Sequence, residues 1–158
     1  MSNYPLETKR HSLAHVLAAA VTELYPQARL AIGPAIDNGC YYDFDFGPTK
    51  LTEEALDVIH HKMLDIIAAD LSFKQVVDNI DHALAQEKKK GQIYKAELIE
   101  DLKKQGLTEV SYYTLGQFTD LCRGPHVSST VDLRGLGFMV HHLAGAYWRG
   151  DEHNPMLT

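Results

Sequence analysis

The spacing of apolar residues changes period along this chain, and that change limits the fold more than any other feature. Up to Gly106 helical spacing dominates; from Val110 onward the two-residue alternation of strands takes over. Leu13, Val16, Leu17, Ala20, Val21 and Leu24 recur at i, i+3 and i+4 and predict a helix over about residues 8–24, stopped by Pro26. A second stripe, Leu56, Ile59, Met63, Ile66 and Ile67, follows Thr52, a suitable N-cap, with Glu53 and Glu54 favourable in the first turn. Two more helical stretches, about 79–89 and 93–104, are divided by Gly91, and Gly106 fits the stop of the second. Between the first two helices lies a hairpin signal: Leu30 to Ile36 is apolar, Asp37-Asn38-Gly39 is a turn, and Cys40 to Phe46 alternates. Cys40, Tyr42, Phe44 and Phe46 then share one face. Strands are predicted over 73–77, 110–114, 117–121 and 137–148. Helices early and strands late define an α+β chain, an antiparallel sheet packed with helices.

Composition narrows the function classes. The 158 residues, 45% of them hydrophobic, suit one globular domain with a real core. No run of about 18 apolar residues exists to span a membrane. The polar stretch Met1 to Arg10 has no signal-peptide character. Two cysteines, Cys40 and Cys122, are too few for a disulfide framework, and a cytoplasmic location is expected. The formal charge of −6 argues against a broad nucleic-acid grip but not against contact with the end of a nucleic acid held elsewhere.

Two short motifs carry the chemistry. His11-Ser12-Leu13-Ala14-His15 puts two imidazoles four residues apart, on one helix face with Cβ atoms roughly 5–6 Å apart. That face points away from the Leu13/Leu17/Leu24 stripe, so a pair of core histidines fits poorly. It continues with Ala18, Ala19 and Thr22, small residues that suit a lined pocket or covered surface better than open solvent. Cys122-Arg123-Gly124-Pro125-His126 is the second motif, on a turn able to aim a thiol and an imidazole at one point. Together His11, His15, Cys122 and His126 match tetrahedral zinc in number and type. The spacing is not that of a zinc finger, and Ser12 stands where a metalloprotease glutamate would be. Without metal the same four groups can position a water and act as base and acid near pH 7. Asp120 shares a strand face with Cys122. Lys95 lies in a lysine-rich helical stretch, where the surface bias favours a solvated charge, and Lys88, Lys89 and Lys90 read as a solvated run.

These motifs resemble the second additional domain of threonyl-tRNA synthetases, which is related to the editing domain of alanyl-tRNA synthetases. The resemblance extends to Ala31 through Asp43 (the hairpin), to Asp120 through Val127, and to Gly145-Ala146-Tyr147-Trp148-Arg149-Gly150-Asp151, which looks like the junction into the synthetase catalytic core. It implies an editing domain over 1–144 and the start of a linker over 145–158. The aminoacylation core, the anticodon-binding domain and a small N-terminal domain common in the family are expected to be absent.

The implied reaction is hydrolysis of the ester of mischarged seryl-tRNA(Thr), the partner being the tRNA acceptor end carrying serine. One missing methyl is worth only about 1–3 kcal/mol in a pocket, so a second site that sieves the smaller ester is needed. The resemblance implies catalytic roles for His11, His15, Lys95, Asp120, Cys122 and His126, and substrate contacts for Tyr42, Arg123 and Gly124. Lys95 matches a functional lysine of the family motif. No cofactor is required: the alanyl relatives carry metal at this motif, whereas the threonyl sites can work with water and side chains, so zinc on His11, His15, Cys122 and His126 stays open. The rival readings are a non-catalytic tRNA-docking module, an unrelated zinc-dependent esterase and a structural zinc fold.

Overall fold

A computed structural model describes residues 3–158; Met1 and Ser2, which begin the stretch read as lacking a signal peptide, lie outside the described residues. The chain is α+β, as its periodicity requires. Helix α1 (Leu6–Leu24) leads into two short antiparallel ladders that build the hairpin, β1 (Arg29–Leu30) with β4 (Phe44–Asp45) outside and β2 (Ala35–Ile36) with β3 (Gly39–Cys40) at the tip. Helix α2 (Glu53–Ala68) packs against α1. Strand β5 (Phe73–Asn79), α3 (Ile80–Lys89), α4 (Ile93–Lys104), β6 (Glu109–Leu115) and β7 (Phe118–Leu121) follow, and the strands form an antiparallel sheet in the order β5-β6-β7. Near the C-terminus β8 (Ala146–Tyr147) pairs with β9 (Met156–Leu157).

Local chemistry accounts for the boundaries. The Asn79 side chain accepts from the backbone N–H groups of Asp81 and His82 and caps α3. Thr52 occupies the N-cap of α2, but its side chain makes no capping bond there. The hairpin is not one continuous ladder. Leu30 opposes Phe44 and Ala35 opposes Cys40, which leaves one extra residue on the first strand between them. Gly33 lies in that interval, and a Cβ there would overlap the Tyr42 ring. The irregularity therefore brings backbone down onto Tyr42.

The sheet divides two apolar clusters by the parity of β6. Tyr113 and Leu115 face α1 and join the main core of Leu13, Val16, Ala20, Phe44, Met63 and Phe73. Val110 and Tyr112 face the opposite way and pack with Ile80, Ala83 and Ile99 of α3 and α4. A third cluster joins Ala31, Tyr94, Trp148 and Leu157.

Two expectations need correction. The strand predicted over 137–148 is confined to Ala146–Tyr147. Leu136, Phe138 and Val140 do alternate inward against the core while Met139 is 73% exposed, but the segment lies over helix and core, with Phe138 on the His60 ring, and no strand among the described residues pairs with it. Alternating burial arises from any extended chain on an apolar surface, paired or not. Helix α1 is not a single stripe: Ser12, Ala14, His15, Ala18 and Ala19 are buried as well as Leu13, Val16 and Val21. His15, at 3% exposure, is a core histidine, the reading its helix face argued against. Residues 145–158 are folded onto α4 and β4, with Trp148 and Leu157 buried.

Candidate active site

The sheet face turned toward α1 carries the chemistry. Asp120 opposes Tyr113 in the β6–β7 ladder, and Cys122, just beyond β7, keeps the pattern by donating its N–H to Ser111 O. Both side chains therefore point toward α1, where His11 and His15 sit one turn apart. A cavity of about 880 Å3 opens here, and His11, Tyr42, Lys95, Asp120, Cys122 and His126 line it.

Three groups converge at its floor. Cys122 Sγ lies 3.5 Å from His11 Nε2 and 3.2 Å from His126 Nε2, and the His11 and His126 rings stack at 4.5 Å. The tautomers follow from what holds the other nitrogens. Ser12 Oγ donates to Thr8 O at 2.8 Å, so toward His126 Nδ1, 3.0 Å away, it can only accept. That assigns the proton of His126 to Nδ1 and a lone pair to Nε2. Val127 N–H also donates to Ser12 Oγ. His11 Nδ1 faces Pro125 O at 3.3 Å, which assigns its proton to Nδ1 and leaves its Nε2 lone pair facing the thiol. Two lone pairs thus compete for one S–H proton, and one remains for an incoming donor or Lewis acid.

Burial holds His126, His15 and Cys122 in their uncharged forms. Burial, then the neighbouring His15 and His11, pushes the His126 pKa down to about 2. Burial drives His15 down to about 4, helped by Lys95 and His11 and opposed by Asp120. Burial raises the Cys122 thiol, with Gly124 N–H, which donates to Sγ at 3.3 Å, pulling the other way. His15 stands apart from the convergence. Its ring lies against Phe73 and Phe118, at 5.7 and 5.0 Å, and its Nε2 is buried without a hydrogen-bond partner.

The second group is an ion pair beside it. Lys95 Nζ sits 3.1 Å from Asp120 Oδ1, both residues only 4% exposed. Tyr42 OH donates to the other carboxylate oxygen, Oδ2, at 2.5 Å, and Lys95 lies 5.4 Å from the Tyr42 ring centre. Burial, and then Asp120, hold the Tyr42 hydroxyl well above its usual pKa, so it remains a donor. Lys95, read by composition as a surface charge, is thus a buried one, whereas Lys88, Lys89 and Lys90 are exposed.

The donor set bears on metal. Zinc with Zn–S of about 2.3 Å and Zn–N of about 2.0 Å places neighbouring tetrahedral ligand atoms roughly 3.3–3.6 Å apart. The thiol-to-imidazole separations match, and ligand atoms of His11, Cys122 and His126 all fall within 4.8 Å of one another. Ser12 and the Pro125 carbonyl supply the outer contacts that orient metal-bound imidazoles. The residues present therefore fit a zinc ion with three protein ligands. The fourth expected ligand, His15, is not part of this group, because its ring packs among aromatic side chains.

Arg123 lies exposed at the rim. Gly124 has φ of +76°, and a Cβ there would overlap the Tyr113 hydroxyl, so its main role here is close packing; its N–H is taken by Cys122. Sequence reasoning missed Ser12, although a serine inside an apolar helix face calls for a buried partner. It also missed Glu87, a buried carboxylate that accepts from Tyr112 OH at 3.1 Å and is hidden in sequence beside three exposed lysines.

Part of the chain matches a known family of domains. Residues 110–158 match the family model described as the threonyl and alanyl tRNA synthetase second additional domain, and those residues include Asp120, Cys122 and His126. Over those residues the chain is similar to that family of synthetase domains. The chain is also similar to proteins of the threonyl type. It is 51% identical over 148 residues to a threonine--tRNA ligase of Desulforamulus reducens, covering 94% of this chain and 22% of that protein. It is 49% identical over 152 residues to that of Janthinobacterium sp. and 44% over 151 residues to that of Clostridium novyi, covering 96% of this chain and 23% of each. The chain spans about a quarter of the length of these relatives. Among the described residues, no helix is long and apolar enough to cross a membrane.

Proposed function

We propose that this domain hydrolyses the ester of seryl-tRNA(Thr), removing serine wrongly attached to the threonine acceptor. The observation that carries the reading is the convergence of two unlike groups on one cavity: a His11/Cys122/His126 cluster and a buried Lys95–Asp120 pair donated to by Tyr42. Ester hydrolysis needs both. One must hold a water as an acceptor, and the other must stabilise the negative charge that develops on the carbonyl oxygen.

His11 and Cys122 are the half-exposed members of the cluster, and of the two only His11 offers a basic lone pair, on Nε2, so it is the group that holds and deprotonates the attacking water. His126 is held neutral and too weakly basic to take that proton; it orients Cys122. His15 backs His126 ring to ring at 5.0 Å and fixes the wall. Lys95 donates to the developing oxyanion while Asp120 and Tyr42 fix its ammonium. The water oxygen bonds to the carbonyl carbon, the bond to the ribose oxygen breaks, and the proton returns to that oxygen. Cys122 and His126 form the wall that rejects the additional methyl of threonine. Arg123, at the rim, meets the tRNA backbone. Where zinc is bound, His11, Cys122 and His126 hold it, and it supplies Lewis-acid polarisation of the ester carbonyl.

The test is deacylation of seryl-tRNA(Thr) and threonyl-tRNA(Thr) by this domain, with and without chelator. Rapid loss of serine with threonine spared is the expected result, and chelator sensitivity reports on metal. Loss of both esters at equal rates refutes the sieve; survival of both, also when the domain is joined to the remainder of a threonine--tRNA ligase, refutes the hydrolase.

A further inference from the structure

Lys95 reaches Asp120 from α4, and what holds α4 there is the last stretch of the chain. Its N-terminus is tied to β1 by Gln92, whose Oε1 accepts from Leu30 N–H at 2.8 Å. Tyr94, adjacent to Lys95, donates to Asp45 Oδ2 at 2.7 Å and meets the Trp148 ring edge-on at 5.0 Å. Tyr94, Glu97 and Asp101 share the helix face beside the one that carries Lys95. The C-terminal segment grips that face throughout. Trp148 Nε1 donates to Glu97 Oε2 at 2.8 Å. Arg149 Nη2 lies 2.7 Å from Asp101 Oδ2, and its Nε lies 3.5 Å from Glu97 Oε2.

The grip is built rather than incidental. Trp148 is 5% exposed. Arg149 is held at φ of +57°, a strained left-handed conformation that a side-chain-bearing residue keeps only where surrounding contacts enforce it. Beyond it the chain returns through β9, and Thr158 exchanges two backbone hydrogen bonds with Phe44, at 2.7 and 2.8 Å. Phe44 is two residues from Tyr42 on the same strand face and stacks on it at 4.7 Å. One segment therefore touches the elements carrying two of the three members of the Lys95–Asp120–Tyr42 wall.

We infer that Tyr147–Thr158 is a strap that sets the position of α4, and that Trp148, Arg149 and their acceptor Glu97 are positioning residues for Lys95. The inference rests on the role given to Lys95 in the proposed hydrolysis. None of the three lines the cavity, so they act through the helix alone.

Glu97→Ala removes the acceptor shared by Trp148 and Arg149 at a half-exposed helix position where alanine keeps the helix. It is expected to lower kcat for seryl-tRNA(Thr) about tenfold with KM little changed, since small misplacement of a catalytic group costs rate more than binding. Glu97→Gln, which keeps an oxygen for the indole N–H, restores most of the rate. Trp148 is the single tryptophan, so a red-shifted emission in Glu97→Ala reports that the strap has loosened. In a Lys95→Ala background, Glu97→Ala adds no further loss, because the group it positions is gone. Reductive methylation read by mass spectrometry supplies an arm independent of catalysis: Lys95, protected in the parent protein, becomes reactive in Glu97→Ala.

Equal losses with and without Lys95, or a Lys95 that stays protected with wild-type kcat, overturn the inference. If the parent protein fails to deacylate seryl-tRNA(Thr), the hydrolase reading falls. The methylation arm then decides the strap alone, by gain of Lys95 reactivity or its absence.

Discussion

Replacing His15 with phenylalanine separates burial of an imidazole from its chemistry. In the native protein His15 ionises only near pH 4, chiefly because burial penalises its charged form, whereas an unfolded histidine ionises near its ordinary value of 6.5. Between those values the unfolded chain binds a proton that the folded chain refuses. Stability from this group is complete above pH 6.5 and is lost as the pH falls toward 4. The difference of about 2.5 units, at 1.36 kcal/mol each, amounts to about 3 kcal/mol. Phenylalanine removes the titration and the unpartnered Nε2, worth roughly 1–3 kcal/mol, while its larger ring costs a similar roughly 1–3 kcal/mol in packing. The two proteins should therefore lie within about 2 kcal/mol of each other at pH 7.5. The variant should then gain on the parent by about 1.4 kcal/mol per pH unit below pH 6. Glu87 and Asp43, both raised by burial, push stability the opposite way on acidification, but they are common to both proteins and cancel in the difference. Urea unfolding at several pH values between 7.5 and 4.5 measures it. Parallel stability curves would refute the reasoning, because His15 would then titrate alike folded and unfolded.

Ser12→Ala strips the acceptor from His126 Nδ1–H and Val127 N–H, leaving two buried donors unpaired. A loss of about 1–3 kcal/mol and a mixed His126 tautomer are expected, read by thermal unfolding and by nitrogen shifts of the ring. Lys95→Met breaks a fully buried ion pair and leaves Asp120 without its cation, at a cost of about 3–5 kcal/mol in urea unfolding and with loss of deacylation. Lys95→Met with Asp120→Asn should recover part of the stability and none of the activity. Cobalt(II), used as a spectroscopic stand-in for zinc, should give a thiolate charge-transfer band that Cys122→Ser abolishes and Cys40→Ser leaves intact, since Cys40 is not a member of the His11/Cys122/His126 group.

Sequence alone determined what depends on neighbours along the chain. The α1, α2, α3 and α4 stripes, the Asp37-Asn38 turn and the breaks at Gly91 and Gly106 are local, so helical and turn chemistry set them before any long-range contact forms. The His11/Cys122/His126 grouping was legible because its two halves are short motifs, each carried by one element. Tertiary structure decided everything that turns on a surface finding its partner. His15 has the same helical spacing as His11, yet it enters the core because Phe73 and Phe118, about 60 and 100 residues away in sequence, close over it. Lys95 is buried because Asp120 offsets its desolvation, and no pattern within α4 records that. Residues 137–145 alternate without joining a sheet because alternation fixes which side chains face inward and leaves open whether a strand lies alongside. Trp148 and Arg149 read in sequence as the start of a connection, and only the fold shows them closing over the helix that delivers Lys95.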